Sequence, residues 1–454
     1  MAKIVILGAG LTGLSAAYHL EKKGYFDYKI FERDATVGGL CRSIYQDGFT
    51  FDYTGHLLHA SDPYFQSFIA QLVGMHSLNS VMRRSFIYSH EVYTYYPFQI
   101  NLYGLPAAVI AECIEGFVTR KKTKKIDSFY DWALATFGRG IARNFFFPFQ
   151  KKILSYNLKK ITASWTGRFV PSTSLTQMIQ GALNDPSLDQ QIGYNAQFYY
   201  PKIGGIFYWV EKIAHALKNP IYTGYEVTTV DMEQKQVVFA NGDYEPFDIL
   251  ISTMPLDNFL SCLKDRATTN FKKLKQNLLC NSVVNFNLGV NRPDLSSKHW
   301  IYFPESEFPF YRIGFPHNFS SETVPTGCSS LYGEFSYIKS SPKRIKEQLQ
   351  KSLAITKKLL AINERDIMTE KIISISHAYV IYDFWREKNL SVLLNRLQHN
   401  DIHSIGRYGG WKYSSMQEAV LDGKKIAEEL LVTPAKKVVF VAAKEYVGQK
   451  EIVN

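Results

Sequence analysis

The chain has 454 residues, 46% apolar and 20% charged, with a formal net charge of +11. That length predicts two domains, and that composition excludes disordered and fibrous classes. Five scattered cysteines (Cys41, Cys113, Cys262, Cys280, Cys328) lack a CxxC pair, arguing against structural zinc and a disulfide framework and for a reducing compartment.

No apolar run reaches the roughly 18 residues of a spanning helix, and no signal peptide precedes the first strand at Lys3. A cytoplasmic protein is expected, with peripheral membrane contact left open. The positive charge predicts anionic company, either a nucleotide diphosphate or a lipid surface. Nucleic acid is the least favoured partner and is not expected, because neither a long basic tract nor an aromatic RNA-binding signature occurs. The densest basic cluster, Arg120-Lys121-Lys122-Thr123-Lys124-Lys125, reads as a solvated helix end or as a contact for a membrane or acidic partner.

Taken in order, the chain opens with Lys3-Ile4-Val5-Ile6-Leu7, a short β-branched run suited to a buried parallel strand. Gly8-Ala9-Gly10-Leu11-Thr12-Gly13 follows, then an alanine-rich amphipathic stretch over 14–23. Gly8 permits a tight turn, Gly10 admits a pyrophosphate against the backbone, and Gly13 brings helix and strand together. The diphosphate then sits on free N–H groups where Leu11 and Thr12 open the helix. A second strand, Tyr28-Lys29-Ile30-Phe31, ends in Glu32, beside Arg33. A carboxylate at that distance accepts the hydroxyls of an adenosine ribose. The competing reading is a glycine-rich turn of another α/β fold.

A paired glycine comes next, in Gly38-Gly39-Leu40-Cys41-Arg42-Ser43, letting backbone pass a second time over the diphosphate, with Arg42 placed to neutralise it. This arrangement resembles the FAD-binding flavoprotein superfamily of monoamine oxidases, protoporphyrinogen oxidase, phytoene desaturases and UDP-galactopyranose mutase. The resemblance implies FAD as cofactor, with Gly39 and Leu40 among its contacts.

A hairpin over 43–53 turns at Gln46-Asp47-Gly48 and delivers Thr54-Gly55-His56-Leu57-Leu58-His59. The mutases carry a similar Gly-Pro-His-x-x-His segment beside the isoalloxazine ring; here Gly55 stands where the proline would be. His56 and His59 read as ring-side residues, as half of a metal site with no third ligand evident, or as core histidines. No metal is expected.

Residues 61–199 switch to helical periodicity and read as an insertion, with helices over 107–117 and 128–137. Tyr96-Pro97-Phe98-Gln99-Ile100-Asn101-Leu102 resembles a stretch of the mutases, and Phe145-Phe146-Phe147-Pro148-Phe149 is a candidate cleft wall. Where the mutases place a tyrosine and a tryptophan on the nucleotide, this chain has Phe149-Gln150-Lys151-Lys152-Ile153-Leu154, which speaks against uridine recognition.

Tyr200-Pro201-Lys202-Ile203-Gly204-Gly205 returns the chain to the cofactor domain and resembles an element of the oxidase and desaturase branches. A helix over 207–217 and a strand over 224–230 follow, and the resemblance implies that Val227 pairs its backbone with adenine. Val237-Val238-Phe239 and residues 248–255 are expected to complete the sheet, with hairpin-like spacing around Asn241-Gly242.

Four strands are predicted between 282 and 335, a mixed sheet serving as substrate platform. Arg312, in an apolar strand, requires either a salt bridge, for which Glu334 is available, or an anionic substrate group. Arg168 is a second anion-binding candidate. Gly406-Arg407-Tyr408-Gly409-Gly410-Trp411-Lys412-Tyr413-Ser414-Ser415-Met416 then leads into a helix over 417–431 and resembles a stretch of the mutases. The resemblance implies that Gly406 and Arg407 meet the FAD diphosphate and that N–H groups near Met416 face the flavin pyrimidine. Trp411, Lys412 and Tyr413 are expected to line the cleft.

The expected fold is α/β, a Rossmann-like FAD domain of the glutathione-reductase type built from 1–60, 200–260 and 400–433. Inserted into it are the helical segment 61–199 and a mixed-sheet segment 261–399, which together make an α+β substrate domain, and 434–454 is an added tail. By position, His56, His59, Arg312 and Tyr413 are the catalytic candidates, and Arg168, Trp411 and Lys412 the substrate-binding ones. The expected function is an FAD-dependent oxidoreductase passing hydride to flavin N5 from an anionic biosynthetic intermediate such as a nucleotide sugar. The alternative is a non-redox nucleotide-sugar pyranose/furanose mutase.

Overall fold

Residues 4–7 alternate between two cores. Ile4 and Ile6 pack into one hydrophobic cluster and Val5 and Leu7 into another, so this strand (β1, Ile4–Leu7) is buried on both faces. The computed structural model describes residues 2–121, 126–167, 169–185, 196–264 and 271–432. β1 lies at the centre of a five-stranded parallel sheet. On one side come the strands Ile249–Ser252 and Ile402–Ser404, on the other β2 (Tyr28–Glu32) and Ile221–Thr223. Helix α1 (Leu11–Lys22) packs between the sheet and the helices Met416–Val432 and Phe207–Ala216. Remote segments of the chain therefore converge where β1 ends.

Two expectations need correcting. The hairpin around Asn241-Gly242 joins Gln236–Phe239 to Tyr244–Pro246, not to residues 248–255. The strand Ile249–Ser252 instead enters the parallel sheet beside β1, where Ile251 packs into one core and Leu250 into the other.

The segment 61–199 is not wholly helical. It contributes the strands Leu78–Met82, Ser85–Ser89 and Val92–Tyr95. Ser85–Ser89 pairs in parallel with Trp300–Tyr302, so both excursions share one seven-stranded sheet. The aromatic, β-branched alternation of Ser-Phe-Ile-Tyr-Ser and Val-Tyr-Thr-Tyr suits that sheet. Its turn residues His90 and Glu91 both take positive φ without the usual Asn-Gly signature, which is why the hairpin is hard to read.

The predicted helices occur as Ala107–Val118 and Phe129–Ile141, the second capped by Ser128 Oγ accepting from the Asp131 N–H. Phe145, Phe146 and Phe149 are buried, Phe145 stacking on Phe149 and meeting Phe146 edge-on, so they form core and not an open wall. Among the described residues no helix is long and apolar enough to cross a membrane. The basic cluster at 122–125 and the tail beyond 432 lie outside the described residues.

Asp52 joins the hairpin 43–52 to the return element. Its carboxylate accepts from Ser43 Oγ, Tyr200 Oη and the Ile206 N–H at 2.6, 2.7 and 3.1 Å. Burial outweighs these bonds and pushes the group up to about 6. A carboxyl held above its unfolded value contributes stability that is complete below pH ~4 and lost as pH rises through about 6. Asp52→Asn is expected to flatten that part of the pH–stability curve by roughly 2–3 kcal/mol. Urea melts of both proteins from pH 4 to 7 test this, and parallel curves would refute it.

Candidate cofactor and active site

The turn after β1 is closed by contacts that leave no room for a side chain. A Cβ on Gly13 would lie 1.9 Å from the Gly8 carbonyl oxygen. The Gly38 N–H donates to the Ala9 carbonyl at 2.8 Å, and Gly38 bridges to Gly10, laying the Gly38-Gly39 turn across the first loop. Helix α1 has no side-chain cap and no acid in its first turn, so its opening N–H groups, those of Leu11 and Thr12 included, suit an anion.

Glu32, at the end of β2, accepts from the Ala9 and Asp34 N–H groups at 2.8 and 3.0 Å. The Tyr225 N–H donates to the Glu32 carbonyl, drawing the strand that starts at Val227 toward the same edge. Arg33 is largely exposed and pairs with Asp34. Arg42 donates to the Gly39 carbonyl at 2.8 Å and to Thr36 Oγ1 at 3.1 Å, and pairs with Asp34 at 3.0 Å. It thereby props the paired-glycine turn. Leu40 packs in a small cluster with Tyr379.

From the other end of the chain, Gly406 lies against the Thr12 side chain. Arg407 next to it is half-buried and donates to the carbonyls of Ser414 at 2.6 Å and Ala378 at 3.0 Å. Its guanidinium also faces the rings of Tyr413, Tyr408 and Tyr379 at 4.9, 5.6 and 5.8 Å. No carboxylate pairs with it among the described residues, leaving an uncompensated cation beside the opening of α1. Met416 begins the last helix, whose first turn is closed by a capping box. There the Ser415 N–H donates to Glu418, and the Glu418 N–H to Ser415 Oγ. An uncapped helix start, a ribose-side carboxylate and an unmatched arginine fit an elongated dinucleotide carrying a diphosphate.

The histidine turn is strained. Thr54, a β-branched residue, has φ 74°, and the His56 N–H bonds back to its carbonyl at 3.0 Å. Gly55 is dictated by its neighbour, because a Cβ there would lie 2.2 Å from the Tyr332 hydroxyl. Leu58 exchanges hydrogen bonds with Tyr199, fixing the far side of the turn. Burial, then the positive charge of Arg407, pulls His56 down to about 4. Burial likewise takes His59 to about 4, and its ring meets Phe198 edge-on at 6.3 Å. Among the described residues no group of three His, Cys, Asp or Glu side chains is placed to hold a metal.

Arg312 meets Glu334 in a two-point bridge, both bonds at 2.8 Å, and Glu334 is fully buried. Its charge is thus matched within the protein. Around this pair lie tyrosines that patterning alone did not single out. Tyr332 faces Arg312 at 5.7 Å, Tyr302 comes from the neighbouring strand, and Tyr379 stacks with Tyr413 at 6.2 Å. Burial raises the hydroxyls of Tyr332, Tyr379 and Tyr413, keeping them protonated. Their only advance signal is aromatic residues recurring in strands of the substrate platform.

One expectation fails. Trp411 does not line a cleft: it is fully buried in the core on the Val5 side of the sheet, its ring 6.2 Å from His377. Lys412 pairs with Asp422 at 2.8 Å. Arg168 lies outside the described residues.

The model of the flavin containing amine oxidoreductase family matches residues 11–431. The 4,4'-diapolycopene oxygenase of Methylomonas sp is 24% identical over 360 residues, 70% of this chain and 69% of that protein. A 4,4'-diapophytoene desaturase of Staphylococcus aureus (strain COL) is 35% identical over 91 residues, 20% of this chain and 18% of that one. Among solved structures, reduced UDP-galactopyranose mutase aligns with TM-score 0.89 and 27% identity over 95% of this chain and 96% of its own. Putrescine oxidase bound to putrescine shares the fold, with TM-score 0.61 and 16% identity over 95% and 99% of the two chains.

Gly55→Ala is expected to destabilise the holoprotein by about 1–3 kcal/mol, and by less when Tyr332→Ala is also present. A double-mutant cycle in urea measures this coupling, and simple additivity would refute the contact. The chain belongs to the flavin containing amine oxidoreductase family, and its cofactor is FAD.

Proposed function

We propose that the chain is an FAD-dependent mutase that rearranges the sugar ring of a nucleotide-linked or otherwise phosphorylated sugar. The observation that carries this reading is the likeness to reduced UDP-galactopyranose mutase along 95% of the chain at 27% identity. The chemistry of the cleft supports it. Tyr332, Tyr379 and Tyr413, held protonated by burial, offer hydroxyls that can both donate and accept. A sugar supplies partners for them, whereas a hydrocarbon polyene supplies none. Arg407 is the cation for the FAD diphosphate, and Arg312, neutralised by Glu334, acts as scaffold.

Bound FAD supplies its isoalloxazine ring as the reacting group, whichever reaction is run. The protein's share is positioning. Neutral His56 would offer the bound group one ring nitrogen as donor and the other as acceptor, and Tyr413, near Arg407, would add a hydroxyl. Phe149 and Leu154, which stand at the nucleotide-packing place of the mutases, are buried here, so the proposal covers sugar and phosphate and not the base.

A second reading is an oxidoreductase acting on the same class of intermediate by hydride transfer to flavin N5. The family match over 11–431 and the likeness to the diapolycopene oxygenase favour it. One assay separates the two. The FAD-loaded protein is reduced anaerobically and offered UDP- and dTDP-linked hexoses. Product formed only by reduced enzyme, without net electron transfer, is the expected result. Substrate-driven bleaching of oxidised flavin would overturn the mutase and establish the oxidoreductase. In either reaction Tyr413→Phe is expected to lower kcat/KM about 10- to 100-fold while FAD absorbance is retained. An unchanged kcat/KM would remove Tyr413 from the site.

A further inference from the structure

A second cleft, of about 630 Å3, opens between the segment 79–84 and the short turns Pro316–Asn318 and Ser321–Thr323. Arg83, Arg84, His299 and His317 line it, and no carboxylate does. Most of its other polar groups are already used: Asn318 donates to the carbonyls of Ser296 and Lys298, and Ser320 Oγ to that of Lys202. Arg84 and His299 are different. The Arg84 backbone N–H donates to His299 Nδ1 at 2.9 Å, which leaves the ring proton on Nε2. His299 is only 2% exposed, yet it borders the cleft, and among the described residues no acceptor takes its Nε2–H. The Arg84 guanidinium likewise meets neither a carboxylate nor another acceptor among the described residues.

A nearly buried ring that keeps an N–H donor free at the cleft and an unmatched guanidinium beside it suit an anionic acceptor. We propose that this cleft is an oxyanion site that takes the phosphate of a small phosphorylated ligand through Arg84 and His299 Nε2–H. The fork of a guanidinium suits two phosphate oxygens and leaves a third for the imidazole. The cavity is roomier than bare phosphate requires and falls within the range of small-molecule sites. It is separate from the cofactor groove but not remote: the Phe198 ring touches His299 at 5.6 Å on one side and His59 at 6.3 Å on the other. The site does not depend on which reaction the flavin serves.

The test uses the full chain saturated with FAD. Inorganic phosphate and glucose 1-phosphate are titrated separately at constant ionic strength, with the imidazole 15N resonances of His299 as readout. Saturable movement of the His299 signal is expected. Arg84→Gln should weaken binding about tenfold or more, with Arg84→Lys in between. Flavin absorbance, unchanged in both variants, reports that they fold. Tighter binding of the ester assigns the site to an organic phosphate, and equal binding to free phosphate. No movement at His299, or the same dissociation constant in Arg84→Gln, would overturn the proposal.

Discussion

A guanidinium with no carboxylate partner among the described residues organises this molecule. Arg407 is held by the backbone carbonyls of Ser414 and Ala378 and surrounded by tyrosine faces, none of which cancels its charge. Its neighbour Gly406 rests on Thr12, so the cation stands beside the helix start that also awaits negative charge. The same field acts on the histidine turn, where it adds to burial in keeping His56 neutral. The start of α1 and the histidine turn are therefore linked by electrostatics as well as by packing.

Arg312 makes the contrast. Half-buried as well, it is matched by Glu334, and the pair holds two neighbouring strands in register. One arginine is matched by a carboxylate of the fold, and the other meets only backbone carbonyls and tyrosine rings among the described residues. The tyrosines around them carry hydroxyls that burial keeps neutral.

Much of this was legible in the residues. The glycine spacing from Gly8 to Gly13, the acid at Glu32 and the paired Gly38-Gly39 appear in space as their chemistry requires. Glu334 was in view as a partner for Arg312, since a cation in an apolar strand needs one. Long-range partners were harder. Trp411 reads as a cleft residue from its motif, but the fold turns it into the core. Tyr302, Tyr332 and Tyr379 are indistinguishable by local pattern from the many other aromatics, because only strand pairing brings them together. The hairpin at 85–95 hid behind a turn of His90-Glu91, two residues seldom found at positive φ.

The shared seven-stranded sheet has a consequence for evolution and engineering. Its strands come from chain positions separated by some two hundred residues, and the Ser85–Ser89 pairing with Trp300–Tyr302 stitches the two excursions along one hydrogen-bonded seam. Neither excursion is a cassette. Recombination that exchanged one alone would leave a raw strand edge and orphaned backbone groups, so new specificities in this scaffold must arise by point substitution or by inheriting both excursions together.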